Sequence, residues 1–273
     1  MTTFATPQPI TASLSTAGAR VRVTATERPD TVVLVEPIDG TSKADAKVAE
    51  RTTVEFTDGL LSVKTRKAGA KSGSVAITIG LPAGSRLVLN TAWSDVHADG
   101  QLGDCELALA SGRVKLDRIA TLRGNLGAGE VEVGYIAGTA DLDGGTAGLR
   151  IGELGGTMPY RGSSGEVSIR HARSDVALTG SGGRFDIDHA EGDVLASTGN
   201  CPIRIGRMTG GQAELTNSAG GIEVGIGEGS TAQVDAESTK GNVRDELSTS
   251  DAVPQVKVHA RTRLDDIVIH HAR

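Results

Sequence analysis

The sequence predicts an all-β fold, a single-stranded β-solenoid of about ten coils with about 18 residues in each coil. A motif of one small residue, any residue and then aliphatic–polar–aliphatic recurs nine times along the chain. The aliphatic residues of each copy stand two apart, which is the period of a β-strand and differs from that of a helix. The chain also has 37 glycines but only three Phe, two Tyr and one Trp, which indicates a narrow interior filled by small aliphatic side chains.

The first aliphatic residue of the motif marks each coil. These anchors follow one another at steps of 17 to 21 residues and are Val96, Val114, Val131, Leu149, Val167, Phe185, Ile203, Ile222 and Val243. Apolar residues two positions later, and seven and nine positions earlier, keep the same phase. Each coil is therefore predicted to hold two short strands whose apolar side chains point inward. Glycines two residues before the anchor, such as Gly112 and Gly183, would form the corner, because glycine adopts positive φ without strain.

Residues 1–84 are predicted to be a β-rich N-terminal capping section, continuous in one structural domain with the solenoid of residues 85–273. Alternating apolar residues predict strands upstream of the repeats at 19–25, 31–37, 52–56, 60–65 and 74–82. Residues 42–50 could form a short helix or a charged loop. The section would cover an open end of the solenoid, which is otherwise an edge that invites aggregation.

The C-terminal residues depart from the repeat. Residues 246–255 are predicted to be a polar loop. Residues 256–271 return to strand alternation, with Ile267 and Ile269 in the inward phase. We predict that they form a last coil or cap.

Composition excludes several classes of protein. A net charge of −6 and the few aromatic residues argue against a nucleic-acid-binding protein. No stretch approaches the ~20 apolar residues of a membrane span, and no signal-peptide pattern is seen, so we expect a cytoplasmic protein. Cys105 and Cys201 belong to coils five apart, roughly 24 Å, well beyond the ~7 Å limit for a disulfide, and are expected to be free thiols.

Five strings of the sequence, taken in order, resemble a known family. They are RTTVEFTDGLLSVKTRK, SGSVAITIGLPAGSRLVLNTAWSDV, GEVSIRHARSDVALTGSGG, RFDIDHAEGDVLASTGN and VKVHARTRLDDIVIHHAR. Together they are similar to the bacterial putative-adhesin family of β-strand-repeat proteins, a domain of unknown function. The resemblance covers nearly the whole chain and implies a β-solenoid fold. It brings no catalytic residues.

The outward columns of the solenoid are the candidate functional surfaces, because a residue at a fixed phase recurs about every 4.8 Å. Four residues after the anchor, consecutive coils carry Glu153, His171, His189 and Arg207, which we predict to form a binding patch. Two stacked imidazoles beside Glu153 could hold a metal ion or an anionic ligand, or make the patch sensitive to pH. The alternative is that the corner tolerates any polar residue. We expect no metal, no cofactor and no catalytic residue.

Two other polar features have structural explanations. The column between the inward aliphatics, with pairs such as Lys115 and Glu132, is expected to be a solvated ladder of ion pairs that fixes the register. Asp175 and Asp193, one coil apart, could be the paired acids of a polysaccharide-active enzyme. Sugar sites usually offer aromatic platforms, and the sequence shows no aromatic stripe.

The sequence therefore predicts a non-enzymatic, adhesin-like interaction or structural module that binds an unknown protein or polymer partner. One alternative is a structural polymer that self-assembles as coil ends stack, with weak self-association as its milder form. The less favoured alternative is a polysaccharide-active β-helix enzyme.

Overall fold

The protein is an all-β solenoid, as predicted. The computed structural model describes residues 1–65, 73–247 and 253–272, and within these ranges one short helix accompanies 25 strands. No helix in the described part of the chain is long and apolar enough to cross a membrane. The chain divides into two compact units, Met1–Gly134 and Tyr135–Arg273.

The first unit contains all five strands predicted upstream of the repeats, together with two that were not predicted, β1 and β2. Its elements are β1 (Thr2–Ala5), β2 (Thr11–Ala17), β3 (Ala19–Thr26), β4 (Asp30–Pro37), α1 (Lys43–Arg51), β5 (Thr53–Thr57), β6 (Leu60–Lys64), β7 (Val75–Pro82), β8 (Arg86–Gln101), β9 (Asp104–Ile119) and β10 (Thr121–Leu126). The strand β11 (Glu130–Ile136) crosses the boundary between the units. The segment 42–50 is a helix because Ser42 caps it, its side chain accepting a hydrogen bond from the Asp45 N–H.

Residues 11–26 form a coil of their own. β2 pairs in parallel with the first half of β8, placing Leu14 opposite Leu89, and β3 pairs with the second half, placing Val21 opposite Val96. On their other side, β2 and β3 pair in parallel with β6 and β7. Parallel stacking then gives way to antiparallel pairs, β4 with β7 and β5 with β6. The coil of residues 11–26 therefore lies inside the stack. β8 lies on one side of it, and β6 and β7, which come later in the chain than this coil, lie on the other.

The second unit repeats two strands per coil. Its strands are β12 (Ala140–Gly144), β13 (Gly148–Leu154), β14 (Met158–Gly162), β15 (Glu166–Ala172), β16 (Val176–Gly182), β17 (Arg184–Ala190), β18 (Val194–Asn200), β19 (Ile203–Met208), β20 (Gly211–Thr216), β21 (Ile222–Ile226), β22 (Ala232–Ser238), β23 (Val243–Asp245), β24 (Val256–Thr262) and β25 (Ile267–His271). From β12 to β19, each strand pairs in parallel with the second strand after it, so neighbouring coils stack without a shift of register across most of the unit.

The predicted inward columns form the core. Leu149, Val167, Phe185 and Ile203 lie opposite one another on successive coils, and each is at most 3% exposed. The buried ring of Tyr160 packs edge-on against Phe185, with ring centroids 6.2 Å apart. In the described part of the second unit, the core is therefore filled by aliphatic stacks with the Tyr160–Phe185 pair inserted among them.

The C-terminal strands are not the last coil. β24 and β25 lie between β20 and β21 on one side and β22 and β23 on the other, so that Ile267 faces Ile222 and Val243. The prediction that 256–271 form the last coil or cap is wrong, because the motif fixes phase within a coil but not the order of stacking. Val243 was predicted to point inward but is 42% exposed, since it sits on the outermost coil. Residues 248–252 of the predicted polar loop lie outside the described residues.

Corners and cysteines agree with the sequence. Gly112 and Gly183 have φ of 126° and 96°, as expected of corner glycines. β8 and β9 run through their corner as single strands, with irregular pairing around Ala92 instead of a break. Cys105 and Cys201 are buried free thiols. Burial, with a smaller effect of the neighbouring Asp104 charge, raises the pKa of Cys105 to about 12, which makes its thiol unreactive at neutral pH.

Candidate functional site

The four residues of the predicted patch form one row across neighbouring strands. Glu153 on β13 lies opposite His171 on β15, which lies opposite His189 on β17, which lies opposite Arg207 on β19. The row follows from the 18-residue repeat, because equal spacing brings residues at the same position in the repeat to the same point on each coil. Whether this row binds a partner stays a prediction.

The two imidazoles stack face to face. Their ring centroids are 4.6 Å apart and their planes differ by 2°. His171 Nε2 lies 2.8 Å from Glu191 Oε1, a hydrogen bond in which the imidazole N–H donates. Glu153 instead forms an ion pair with Arg173, 2.8 Å from Oε1 to Nη2. The carboxylate bonded to the imidazole of His171 is therefore Glu191, which the sequence analysis missed.

Glu191 could have been found from its position in the repeat. It lies two residues after His189, at the phase that Arg173 occupies one coil earlier. Each of these side chains stands beside the row and crosses to the neighbouring coil, Glu191 to His171 and Arg173 to Glu153. The row is thus joined by contacts that run diagonally between coils as well as along the column.

His189 is held in its neutral form. Burial lowers the pKa of its imidazole, and the nearby His171 and Arg207 lower it further, although Glu191 acts in the opposite direction. Its Nε2 atom is buried and has no hydrogen-bond partner in the described part of the chain. The hydrogen bond from His171 lowers the pKa of Glu191, so this carboxylate stays ionised. A neutral imidazole and an ionised carboxylate both carry lone pairs that can bind a cation.

An open depression of about 600 Å³ adjoins the row, and its lining includes Gly152, Gly206 and Arg204. Arg170 borders it and donates from Nε to the Gly152 carbonyl oxygen at 3.4 Å. Arg207 borders it as well. Among the described residues, neither guanidinium forms an ion pair with a carboxylate. Two cationic groups therefore face the depression with donors to spare.

The neighbouring outward column is the expected ladder of ion pairs. In the first unit, Lys115 Nζ lies 2.8 Å from Glu132 Oε1. In the second unit, Arg204 lies 2.7 Å from Asp186 and 3.9 Å from Glu223, on the coils before and after it. Such exposed pairs contribute on the order of 0.2–1 kcal/mol each. Their main effect is to favour the native register.

The paired acids Asp175 and Asp193 support turns. Asp175 Oδ1 accepts a hydrogen bond from the Asp193 N–H at 3.0 Å, and Asp193 Oδ1 accepts one from the Gln212 N–H at 2.8 Å. Each carboxylate thus binds the backbone of the next coil, as aspartates in turns commonly do. This use accounts for their recurrence at one phase of the repeat.

The fold and this row of side chains define the protein as a β-strand-repeat protein of the solenoid class. No protein-family model matches the sequence, and no curated protein matches it. Solved structures are similar along nearly the whole length, and their similarity in sequence is low. A putative adhesin from Parabacteroides distasonis is 14% identical, with a TM-score of 0.41, over 98% of this chain and 95% of that one.

Two further solved structures have similar descriptions. A putative adhesin from Parabacteroides merdae is 12% identical, with a TM-score of 0.32, over 100% of this chain and 95% of that one. A putative cell adhesion protein from Clostridium sporogenes is 10% identical, with a TM-score of 0.19, over 99% and 98%.

Proposed function

We propose that this protein is a non-enzymatic interaction module that binds a protein or polymer partner on the outward face of β13, β15, β17 and β19. The observation that carries the proposal is the open depression over Gly152 and Gly206, bordered by Arg170 and Arg207. Guanidinium groups bind carboxylates and carbonyl oxygens through several parallel hydrogen bonds. The partner is therefore expected to present carboxylate or carbonyl oxygens along an extended segment.

The solenoid suits such a partner because it presents the binding groups at fixed intervals. Neighbouring coils are one strand spacing apart, about 4.8 Å, and the register is fixed by buried stacks such as Val167 and Phe185. Little side-chain and backbone freedom is lost when a rigid face binds, which favours affinity at a modest contact area.

The outermost coil opposes self-assembly by stacking of coil ends. Asp245 on β23 occupies the phase that Ile269 occupies on the coil next to it. This carboxylate is exposed, but a second molecule stacked on β23 would bury it among apolar side chains. Burying an unpaired charge is unfavourable by several kcal/mol. A charged residue at an inward position is a known protection of sheet edges.

The enzyme alternative loses its main support at Asp175 and Asp193. Both carboxylates accept a backbone N–H bond from the next coil through Oδ1, so a structural use accounts for their recurrence without an acid and base pair. A partner that is bound and not converted fits the row and the depression better.

A matched capture experiment tests the proposal. The immobilised protein is compared with an Arg170→Ser/Arg207→Ser double variant and with a Lys257→Ser/Arg263→Ser control, which removes two exposed positive charges elsewhere. Partners captured from native lysate are quantified by mass spectrometry. We expect wild type and control to capture the same partner, and the first double variant to lose it by about tenfold or more.

Two results would contradict the proposal. Equal capture by both double variants would exclude the depression as the binding surface. If nothing is captured and size-exclusion chromatography shows a large homopolymer, self-assembly is the better explanation.

A further inference from the structure

We infer that His171, His189 and Glu191 form a binding site for a divalent transition-metal ion of the Zn²⁺ or Ni²⁺ type. One ligand atom from each of the three side chains lies within 4.8 Å of the other two. Two imidazoles and one carboxylate are a ligand set that zinc uses when it keeps a fourth position open for water or another ligand. The site lies on the row described above, but its test requires no partner.

The unpartnered nitrogen of His189 is the first reason for a metal. Its Nε2 atom is buried and has no hydrogen-bond partner in the part of the chain that the structure describes. A buried polar atom without a partner is unfavourable and calls for an explanation. The adjacent Glu191 carboxylate is bonded to the other imidazole, at 2.8 Å from His171 Nε2. A cation between the three atoms would satisfy all of them.

The geometry requires a small adjustment that the fold permits. Two ligand atoms on one tetrahedral zinc ion are about 3.3 Å apart, given metal–ligand bonds of about 2.0–2.1 Å. The strands fix the backbones of His171 and His189 as direct neighbours. The side chains of His171 and Glu191 are 25% and 43% exposed, so both can rotate toward a shared ion. On binding, the ion takes the place of the Nε2 proton that His171 donates to Glu191, and the neutral imidazole then carries its proton on Nδ1.

The surrounding charges set a moderate affinity. Glu153 would add negative charge, but it is paired with Arg173. Arg207 stands next to His189 on the following coil and places a positive charge near the ion. Removing Arg207 should therefore strengthen metal binding, although the same change should weaken binding of an acidic partner. Because removal of Arg207 should change the two affinities in opposite directions, the experiment tests the metal site independently of the proposed function.

Zinc titration of the purified protein tests the inference. The full-length chain, without an affinity tag and treated with chelator, is titrated with ZnCl₂ by isothermal calorimetry. We expect one ion per chain with a dissociation constant of micromolar order. His189→Gln and Glu191→Gln should each weaken binding by about tenfold or more, because each removes one of three ligands. Arg207→Ala should strengthen it by about threefold.

The matched control is His97→Ala. His97 forms an exposed imidazole–carboxylate pair with Asp99 at 2.7 Å, and the two belong to no cluster of three ligands in the described ranges. This variant should bind zinc as wild type does. Circular dichroism spectra and melting curves of all variants should match those of wild type, because every altered side chain is at least partly exposed. The inference is overturned if wild type shows no saturable one-to-one binding, or if folded His189→Gln and Glu191→Gln bind with unchanged affinity.

Discussion

Val167→Asp is expected to abolish cooperative folding of the second unit. Val167 is 1% exposed and lies between Leu149 and Phe185 in the inward column. The new carboxylate would have neither water nor a cation as a partner there, so the substitution should lower the free energy of unfolding by more than about 4 kcal/mol. A thermal melt followed by circular dichroism would show a broad transition or none.

Val243→Asp is the matched control, because the substitution and the repeat phase are the same. Val243 lies on the outermost coil and is 42% exposed, so a carboxylate there stays hydrated. The free energy of unfolding should fall by less than about 1 kcal/mol. If the two variants melted alike, the assignment of buried and outermost coils would be wrong.

Ile267→Asp is expected to have an effect as large as that of Val167→Asp, although Ile267 stands close to the C-terminus. Its side chain is fully buried between Ile222 on one coil and Val243 on the other. A lone charge at this point would separate the outermost coil from the rest of the unit, with a loss of more than about 4 kcal/mol. Chemical denaturation of the purified variant would measure it.

Val268→Asp provides the comparison for this second prediction. Val268 is the next residue on β25 and lies between Arg244 and Glu223 on the two neighbouring coils, so the new carboxylate meets one opposite and one like charge at a partly exposed position. We expect a change in the free energy of unfolding of less than about 1 kcal/mol. If Ile267→Asp were as stable as wild type, residues 256–271 would be only loosely attached to the rest of the second unit.

The phase of nearly every core residue could be predicted from the sequence, because two local rules combine. The strand period of two selects which residues of a coil point inward, and the 18-residue repeat carries this choice from Val167 to Phe185 and Ile203. The stacking of His171 on His189 follows from the same rules. Equal spacing alone determines which residues point inward and which residues stack on neighbouring coils, without knowledge of the rest of the fold.

The order of the terminal coils could not be predicted in this way. Residues 11–26 and 256–271 each lie between two coils, and no local pattern records which strand is the neighbour of which. β2 was missed because its sequence, TASLSTA, alternates small apolar residues with Ser and Thr and shows little hydrophobic contrast. Glu191 was missed because its contact with His171 runs diagonally between coils, whereas the sequence analysis followed each column separately.

The stacking of coils in register is the central claim, and methyl NOEs between isoleucine side chains test it most directly. In a deuterated sample with labelled isoleucine methyls, Ile169 should show strong cross-peaks to both Ile151 and Ile187, about one strand spacing away. Ile222 should show a cross-peak to Ile267, which lies on the neighbouring coil although the two residues are more than one repeat apart in the sequence. Absence of the 18-residue contacts, or cross-peaks from Ile169 to residues one or two positions out of this register, would contradict the solenoid described here.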